Sequence, residues 1–194
     1  MPTTFSTPTC SILLLAGGRG LRVGGQDKGL LPWHGEPLIA HLQRVARPFT
    51  DDLIISCNRN ADQYARYADR LVCDPQEGFP GPLAGLRAGL AVARHERLLV
   101  LPCDVPGVDS SMIAAMLDAS AQHPRRPLMI RQGQHWEPLL CVIPLALKAA
   151  FDMDWQAGER SPRNVMLKLE AQALPCAEGD PRLRNLNTLE LLDP

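Results

Sequence analysis

Short apolar runs that alternate with longer amphipathic segments constrain the fold of this 194-residue chain more than any other feature. Each run spans a few residues and ends near glycine, proline or aspartate, which is typical of strands buried on both faces of a sheet. Amphipathic segments between such strands favour βαβ units, in which helices cover both faces of a parallel sheet. The pattern therefore predicts an α/β protein with a three-layer, Rossmann-like fold and a mostly parallel sheet.

The same pattern gives approximate limits for the elements. The predicted strands cover residues 11–16, 53–56, 71–73, 98–101, 128–131 and 139–143, and the predicted helices cover 37–46, 61–67, 83–94, 110–122, 145–153, 163–170 and 188–192. Gln132-Gly133-Gln134 is typical of a hairpin turn, so the last two strands are expected to pair antiparallel. Pro37 suits a first helical turn, and Asp109 or Ser110 suits the cap of the helix at 110–122.

Chain length and charge limit the remaining possibilities. With 45% hydrophobic residues, a chain of this size buries roughly 70% of its unfolded surface, so a single domain over residues 1–194 is expected. The 20 basic and 21 acidic residues leave a net charge of −1, which offers no long-range attraction for nucleic acid or an anionic membrane. The start of the chain lacks a signal-peptide core and no segment has the apolar length of a membrane span, so a cytoplasmic location is expected.

The cysteines and histidines give no sign of a metal cluster or of covalent catalysis. The six cysteines are scattered, without a C-x-x-C pair, and are expected to be reduced and mostly buried: Cys10, Cys57, Cys73, Cys103, Cys141 and Cys176. The histidines lack ligand spacing and are interpreted as surface or packing residues: His34, His41, His95, His123 and His135. Met112 and Met116, at helical spacing, are expected in the core.

A glycine-rich segment follows the first predicted strand directly. Residues 16–29 contain six glycines, which allow the backbone to approach an anion closely and to point successive N–H groups at it. Arg19, Arg22 and Lys28 add positive charge, so the segment is expected to bind a di- or triphosphate. The alternative is a flexible surface loop without a ligand.

Two better-known phosphate-binding motifs do not fit this segment. In a P-loop the last glycine is followed by lysine and then serine or threonine, but Gln26 follows Gly25 here, and Gly29 follows the lysine. The dinucleotide motif G-x-G-x-x-G could begin at Gly18, but its third glycine position holds Val23. A dehydrogenase is therefore disfavoured.

Two aspartates are expected at the carboxyl edge of the sheet, where ligands bind in open α/β folds. Asp104 ends the apolar run 98–104, and an aspartate is a usual protein ligand for Mg²⁺ at sites that also bind phosphates. Asp74 follows the short strand that ends at residue 73. For both residues the alternative is an aspartate that stabilises a turn.

Lys28 could bind the β- or γ-phosphate, or it could be a solvated surface lysine.

At these residues the chain resembles a known family. It is similar to nucleotidyltransferases with the fold of nucleotide-sugar-dependent glycosyltransferases, and within them to the MobA-type molybdenum cofactor guanylyltransferases. The narrower resemblance depends on Gly81-Pro82-Leu83-Ala84-Gly85 and on a closing Asn-x-Asn-Thr. Val23, Ser56 and Glu137 depart from the family pattern. The motifs that carry the resemblance are Leu15-Ala16-Gly17-Gly18, Arg22, Gly24, Asp27-Lys28-Gly29-Leu30-Leu31, Gly35, Pro37-Leu38, Asp74, Phe79 to Gly85, Cys103-Asp104-Val105-Pro106 and Asn185 to Glu190.

The resemblance implies an activity and a set of site residues. It implies transfer of GMP from GTP to a molybdopterin-type molybdenum cofactor, with release of pyrophosphate and with Mg²⁺ bound by Asp104. The N-terminal half would bind the nucleotide and the C-terminal half the acceptor. Lys28 and Asp104 would be catalytic, and Asn185 and Asn187 would lie near the pterin. The implied GTP-binding residues are Leu15, Ala16, Gly17, Gly18, Arg22, Lys28, Asp74 and Asp104.

Several alternatives stay open from the sequence. A cytidylyltransferase acting on the same cofactor or on another phosphorylated metabolite is one, and a non-catalytic cofactor carrier is another. Asn187 could cap the helix at 188–192 instead of contacting the acceptor. Transient contact with molybdenum cofactor biosynthesis proteins or acceptor molybdoenzymes is a further expectation. The candidate anion-binding arginines of the acceptor half are Arg125, Arg126, Arg131, Arg160, Arg163, Arg182 and Arg184.

Overall fold

The structure, a computed structural model, describes residues 10–16, 25–74 and 81–186. Its strands are β1 Cys10–Leu15, β2 Pro32–Trp33, β3 Glu36–Pro37, β4 Leu53–Ser56, β5 Arg70–Val72, β6 Arg97–Pro102, β7 Leu128–Gln132, β8 His135–Pro144 and β9 Gln172–Cys176. Its helices are α1 Leu38–Ala46, α2 Ala61–Tyr64, α3 Pro82–Val92, α4 Ser110–Gln122, α5 Lys148–Gln156 and α6 Pro162–Lys168. Short 3-10 turns cover Lys28–Leu30, Arg47–Phe49, Ala65–Tyr67, Leu145–Leu147 and Pro181–Leu183.

Strand pairing confirms the mostly parallel sheet. The order across the main sheet is β5-β4-β1-β6-β8-β7-β9, and β8 runs antiparallel to both of its neighbours. The neighbours β5, β4, β1 and β6 are parallel, as are β7 and β9. The hairpin between β7 and β8 turns at Gly133, whose φ of 54° lies in the left-handed region. The two short strands β2 and β3 form a separate antiparallel pair.

Two apolar layers, one on each face of the sheet, confirm the three-layer architecture. Side chains alternate along β1, so Ile12 and Leu14 pack toward α1 and α4, whereas Leu13 packs toward α3. Met112 and Met116 of α4 lie in the first layer, as the sequence indicates. The second layer holds the apolar side chains of α3, α5 and α6. The sheet is therefore covered by helices on both faces.

Several element limits differ from the sequence-based prediction. The helix expected at 145–153 is a 3-10 turn followed by α5, which extends to Gln156. Pro37 precedes α1 with an extended ψ of 141° and pairs in β3, so it does not occupy the first helical turn. Asp109 caps α4 by accepting a hydrogen bond from the Met112 backbone N–H at 2.8 Å, as expected. The helix expected at 188–192 lies outside the described residues.

The strand β9 was missed because its sequence lacks an apolar run. Its five residues include glutamine and proline, and all are partly or fully exposed. Pro175 is tolerated there because β9 is an edge strand whose outer side needs no ladder hydrogen bonds. The main sheet therefore has one strand more than predicted, because β9 pairs with β7 beyond the β7–β8 hairpin.

All six cysteines are free thiols, and four of them are buried, which agrees with the expectation of mostly buried thiols. Cys73 is exposed. Over the described ranges, no helix combines the length and apolarity that crossing a bilayer requires.

Candidate active site

The carboxyl ends of β1, β4, β5 and β6 meet at one edge of the sheet because these strands are parallel. Backbone hydrogen bonds join the segments that leave this edge. The Ala16 N–H donates to the Ser56 carbonyl at 2.8 Å, and the Cys103 N–H donates to the Leu15 carbonyl at 2.9 Å. Leu15 and Ala16, which the resemblance assigns to nucleotide binding, therefore lie one strand away from the segment that carries Asp104.

Lys28 and Asp104 meet at this edge, although 76 residues separate them in the chain. The Lys28 Nζ lies 3.3 Å from Asp104 Oδ2, and the two side chains are 18% and 29% exposed. Lys28 starts the 3-10 turn Lys28–Leu30, which follows the glycine-rich segment. The pairing contradicts the alternative of a solvated surface lysine. Asp109, and not Asp104, caps the helix that follows.

Asp74 lies at the same edge, and Asn58 holds it at two points. The Asn58 Nδ2 donates to Asp74 Oδ2 at 2.8 Å, and the Asp74 backbone N–H donates to Asn58 Oδ1 at 2.9 Å. The other carboxylate oxygen of Asp74, Oδ1, is buried and has no hydrogen-bond partner among the residues that the structure describes. A buried acceptor without a donor is costly, so this atom is suited to accept a hydrogen bond from a ligand. No sequence motif points to Asn58, although its position just after β4 places it at the same edge.

The Gly81-Pro82-Leu83-Ala84-Gly85 motif fixes the start of α3 against the ends of β1 and β4. Gly81 precedes the helix with a φ of +99°, which favours glycine, and Pro82 occupies the first turn. A Cβ at Gly85 would lie 3.0 Å from both Leu15 Cδ2 and Ser56 Oγ. The absence of a side chain at Gly85 therefore lets the helix approach the strands closely. Ser56 is only 2% exposed and packs beneath this helix.

The C-terminal segment reaches the same edge beside Asp104. The Leu186 N–H donates to the Asp104 backbone carbonyl at 2.8 Å, and the Leu186 side chain packs with Leu31 and Leu38. Asn185, which is exposed, is therefore brought next to Asp104. Four of the residues that the resemblance assigns to the site lie outside the described residues: Gly17, Gly18, Arg22 and Asn187.

The structure distinguishes among the candidate arginines of the acceptor half. Arg182 is paired with Asp180, Arg126 donates to the Glu170 carbonyl, and Arg160 stacks on Trp155 at 3.9 Å. Arg131 differs from these, because it lies at the carboxyl end of β7 over the Trp136 ring at 5.3 Å, and within the described part of the chain its buried Nε has no hydrogen-bond partner. The remaining candidates are exposed: Arg125, Arg163 and Arg184.

Glu137, one of the departures from the family pattern, is held by its own hairpin. Gln132 Nε2 donates to Glu137 Oε1 at 2.8 Å, and the His135 Nε2 lies 3.7 Å from the same oxygen. Glu137 pairs with Ile130 next to the irregularity in the β7–β8 register. The Glu137 carboxylate therefore lies beside the β7–β8 hairpin, near the carboxyl end of β7.

Two buried cysteines, Cys103 and Cys57, follow strands at this edge. Burial, reinforced by the neighbouring Asp104 carboxylate, raises the pKa of Cys103 to about 12, so the thiol stays protonated near neutral pH. Burial also raises the pKa of Cys57 to about 11. Neither of these two side chains is a reactive thiolate near neutral pH.

Asp104 has the chemistry of a magnesium ligand. Its carboxylate is partly exposed at the ligand-binding edge, and Mg²⁺ is commonly bound through one or two carboxylates together with substrate phosphates. Within the described ranges, no group of three or more histidine, cysteine or acidic side chains could hold a metal by itself. Asp104 together with phosphate oxygens of a bound nucleotide would match this mode of binding.

Comparison with known proteins gives consistent matches over nearly the whole chain. A chain from Pseudomonas fluorescens named molybdenum cofactor guanylyltransferase is 64% identical over 192 residues, covering 99% of this chain and 96% of its own length. One of the same name from Pseudomonas aeruginosa is 60% identical over 185 residues, covering 95% of this chain and 93% of its own length.

Solved structures share the fold. The molybdopterin-guanine dinucleotide biosynthesis protein A from Archaeoglobus fulgidus superposes with a TM-score of 0.76 at 21% identity, over 94% of each chain. The 2-C-methyl-D-erythritol 4-phosphate cytidylyltransferase from Thermus thermophilus gives a TM-score of 0.69 at 15% identity, over 93% of this chain and 94% of its own. At these identities the likeness concerns the fold alone.

A family model described as the MobA-like NTP transferase domain matches residues 12–173. This range includes residues 12–15 of β1, the pair of Lys28 and Asp104, and the pair of Asn58 and Asp74. Together with relatives above 60% identity, the match identifies the chain as a member of the MobA-like NTP transferase family.

Proposed function

We propose that this protein transfers GMP from GTP to the terminal phosphate of a molybdopterin-type molybdenum cofactor. The observation that carries the proposal is the pair of Lys28 and Asp104, 3.3 Å apart at the carboxyl edge, in a chain 64% identical to a molybdenum cofactor guanylyltransferase. An acceptor phosphate oxygen forms a bond to the α-phosphorus of GTP, and the bond from that phosphorus to the β-bridging oxygen breaks. Pyrophosphate leaves, and the acceptor becomes a guanine dinucleotide.

Catalysis in this proposal depends on position and charge. The acceptor phosphate is already an anion near neutral pH, so no strong general base is needed. The Lys28 ammonium stabilises negative charge on the departing pyrophosphate, and the backbone N–H groups of the glycine-rich segment hold the phosphates. Mg²⁺ bound to Asp104 would neutralise phosphate charge and polarise the α-phosphate.

The remaining assignments concern the two substrates. On the nucleotide side, Leu15, Ala16, Gly17, Gly18 and Arg22 surround the phosphates, and the buried Oδ1 of Asp74 accepts a hydrogen bond from the sugar or base. On the acceptor side, Asn185 and Asn187 contact the pterin. The position of Arg131 at the carboxyl end of β7 makes it the strongest arginine candidate for the acceptor.

The setting of the reaction is also part of the proposal. A single domain spanning residues 1–194 would act in the cytoplasm, and six free thiols support a reducing compartment. Transient contact with other cofactor biosynthesis proteins or with acceptor molybdoenzymes would deliver the acceptor and remove the product.

Pyrophosphate release tests the proposal directly. The purified protein is incubated with GTP or CTP, with and without molybdenum cofactor, in Mg²⁺ or in EDTA. We expect release that requires the cofactor and Mg²⁺ and is faster with GTP. Faster release with CTP would indicate a cytidylyltransferase, and cofactor binding without any release would indicate a carrier. Release that persists in EDTA would contradict the role of Mg²⁺.

A further inference from the structure

The end of the glycine-rich segment is tied to a second part of the chain. Arg59 donates to the backbone carbonyls of Gly25 and Gln26 at 2.9 and 3.4 Å. Asp27 receives a hydrogen bond on each carboxylate oxygen, from Asn60 Nδ2 at 3.0 Å and from Tyr64 Oη at 2.5 Å. The three residues directly before Lys28 are therefore all held by the segment 59–64.

Tyr64 makes this connection rigid. Its side chain is fully buried in the apolar layer that also holds β1 and α1, so its ring position is fixed by packing. Burial, together with the hydrogen bond to Asp27, raises the pKa of Tyr64, and the phenol stays protonated and can only donate in this contact. The connection therefore runs from the core through the Tyr64 hydroxyl to the Asp27 carboxylate.

The same hydroxyl also meets the chain on the other side of Lys28. A Cβ at Gly29 would overlap the Tyr64 Oη, and Gly29 itself is buried. Tyr64 thus touches residues 27 and 29, one on each side of the lysine. The backbone at Lys28 is confined between these two contacts. The Lys28 side chain reaches toward Asp104, and its Nζ lies 3.3 Å from Asp104 Oδ2.

We propose that Tyr64 and Asp27 are positioning residues, which hold the Lys28 backbone so that its ammonium can move from Asp104 to the triphosphate by side-chain rotation alone. The inference rests on the proposed nucleotidyl transfer. A bound nucleotide competes with Asp104 for the Lys28 charge, and a fixed backbone keeps the ammonium within reach of both partners. Positioning of this kind raises the rate because the charge is in place when pyrophosphate leaves.

A purely structural role for Tyr64 is the competing explanation. The Tyr64→Phe variant separates the two because it keeps the buried ring and removes only the hydrogen bond to Asp27. Tyr67→Phe is the matched control, since Tyr67 lies three residues further on and packs partly buried against the same layer. Thermal unfolding is measured for every variant, so that loss of fold is recognised.

The decisive experiment is a double-mutant cycle of Tyr64→Phe and Lys28→Ala, with kcat for pyrophosphate release and Kd for GTP as readouts. We expect Tyr64→Phe to lower kcat on the order of tenfold, because small misplacements of catalytic groups cost up to about a hundredfold. In the Lys28→Ala background the same change should have no further effect on kcat or Kd, since Tyr64 acts through Lys28. Tyr67→Phe should retain wild-type kcat.

Two outcomes would overturn the inference. Multiplicative effects of the two substitutions would mean that Tyr64 acts independently of Lys28, and wild-type kinetics for Tyr64→Phe would mean that the hydrogen bond is dispensable. If turnover of Lys28→Ala is too slow to measure, the same double-mutant cycle is evaluated with Kd for GTP, and additivity of the two substitutions in that quantity overturns the inference. If the wild-type protein releases no pyrophosphate from any nucleotide, the proposed function fails, and the Kd cycle still tests the positioning role.

Discussion

At the scale of single residues, the site depends on pairs of side chains in which one positions the other. Lys28 pairs with Asp104 and Asn58 with Asp74, and the aspartate of each pair follows a strand of the parallel part of the sheet. The strands fix the backbone positions, and the partner fixes the rotamer of each aspartate. This arrangement favours a preformed site over one assembled by the substrate.

Replacing Asp104 by Asn tests its role as metal ligand and catalytic group. The substitution keeps the shape but removes the negative charge, and we expect kcat to fall about a hundredfold or more. Asp118→Asn is the matched control, because Asp118 is exposed on α4. Mg²⁺-dependent pyrophosphate release is measured for both variants. Near-normal activity of Asp104→Asn would contradict the assignment.

Replacing Asn58 by Ala tests whether Asp74 needs its two hydrogen bonds with Asn58. Loss of both hydrogen bonds frees the Asp74 carboxylate, so we expect KM for GTP to rise about three- to tenfold, which corresponds to roughly one hydrogen bond. KM for the molybdenum cofactor should not change. Asn164→Ala serves as the control, because Asn164 is an exposed residue of α6. An unchanged KM for GTP with Asn58→Ala would mean that Asp74 does not bind the nucleotide or does not depend on Asn58.

At the scale of elements, close packing of α3 on β1 and β4 shapes the nucleotide side of the edge. The approach is possible because Gly85 has no side chain where the helix meets Leu15 and Ser56. The helix begins at Gly81, which adopts a positive φ. The glycine motif is therefore explained by backbone geometry and packing, independently of any direct contact with a ligand.

Gly85→Ala should separate α3 from the strands. A new Cβ at 3.0 Å from two neighbouring side-chain atoms forces a shift, and we expect a loss of about 1 to 3 kcal/mol in the free energy of unfolding. Adding Ser56→Ala removes one of the two close atoms and should restore part of the stability. Urea denaturation measures both variants. Full stability of Gly85→Ala would show that α3 can move at no cost.

At the scale of the whole molecule, a buried aspartate joins the amino ends of the parallel strands. Asp52 is fully buried, its Oδ2 accepts hydrogen bonds from Ser11 Oγ at 2.5 Å and from the Arg94 N–H at 2.9 Å, and Arg70 pairs with its other oxygen. Burial by itself raises the pKa of Asp52, but these hydrogen bonds outweigh it and lower the pKa from its ordinary value of 3.8. The charged form is therefore part of the folded state.

The Asp52 network predicts how stability depends on pH. Because the folded-state pKa is below the unfolded one, the stabilisation is complete above about pH 4 and is lost as the pH falls through the folded-state pKa. Asp52→Asn should cost on the order of 3 kcal/mol at pH 7, and the difference from wild type should shrink below pH 4. Urea titrations from pH 7 to pH 2.5 measure this. A difference that is constant with pH would contradict the role of the charge.

The sequence by itself predicted the parallel arrangement, the hairpin at Gly133 and the carboxyl edge as the place of Asp74 and Asp104. These follow from local information, since apolar runs mark buried strands and parallel strands end at a common edge. The phosphate-binding role of the glycine-rich segment stays a prediction, because residues 17–24 lie outside the described residues. It did not predict β9, whose exposed edge position removes the apolar signal.

Only the tertiary structure decided which side chains meet. Lys28 and Asp104 are 76 residues apart, Tyr64 and Asp27 are 37 apart, and Asn58 and Asp74 are 16 apart. No periodicity or motif encodes these contacts, because each depends on the order of strands in the sheet and on how the intervening loops return to its edge. The sequence therefore determined the chemical groups and the edge of the sheet where they lie, whereas the packing of the strands and loops determined the partner of each group.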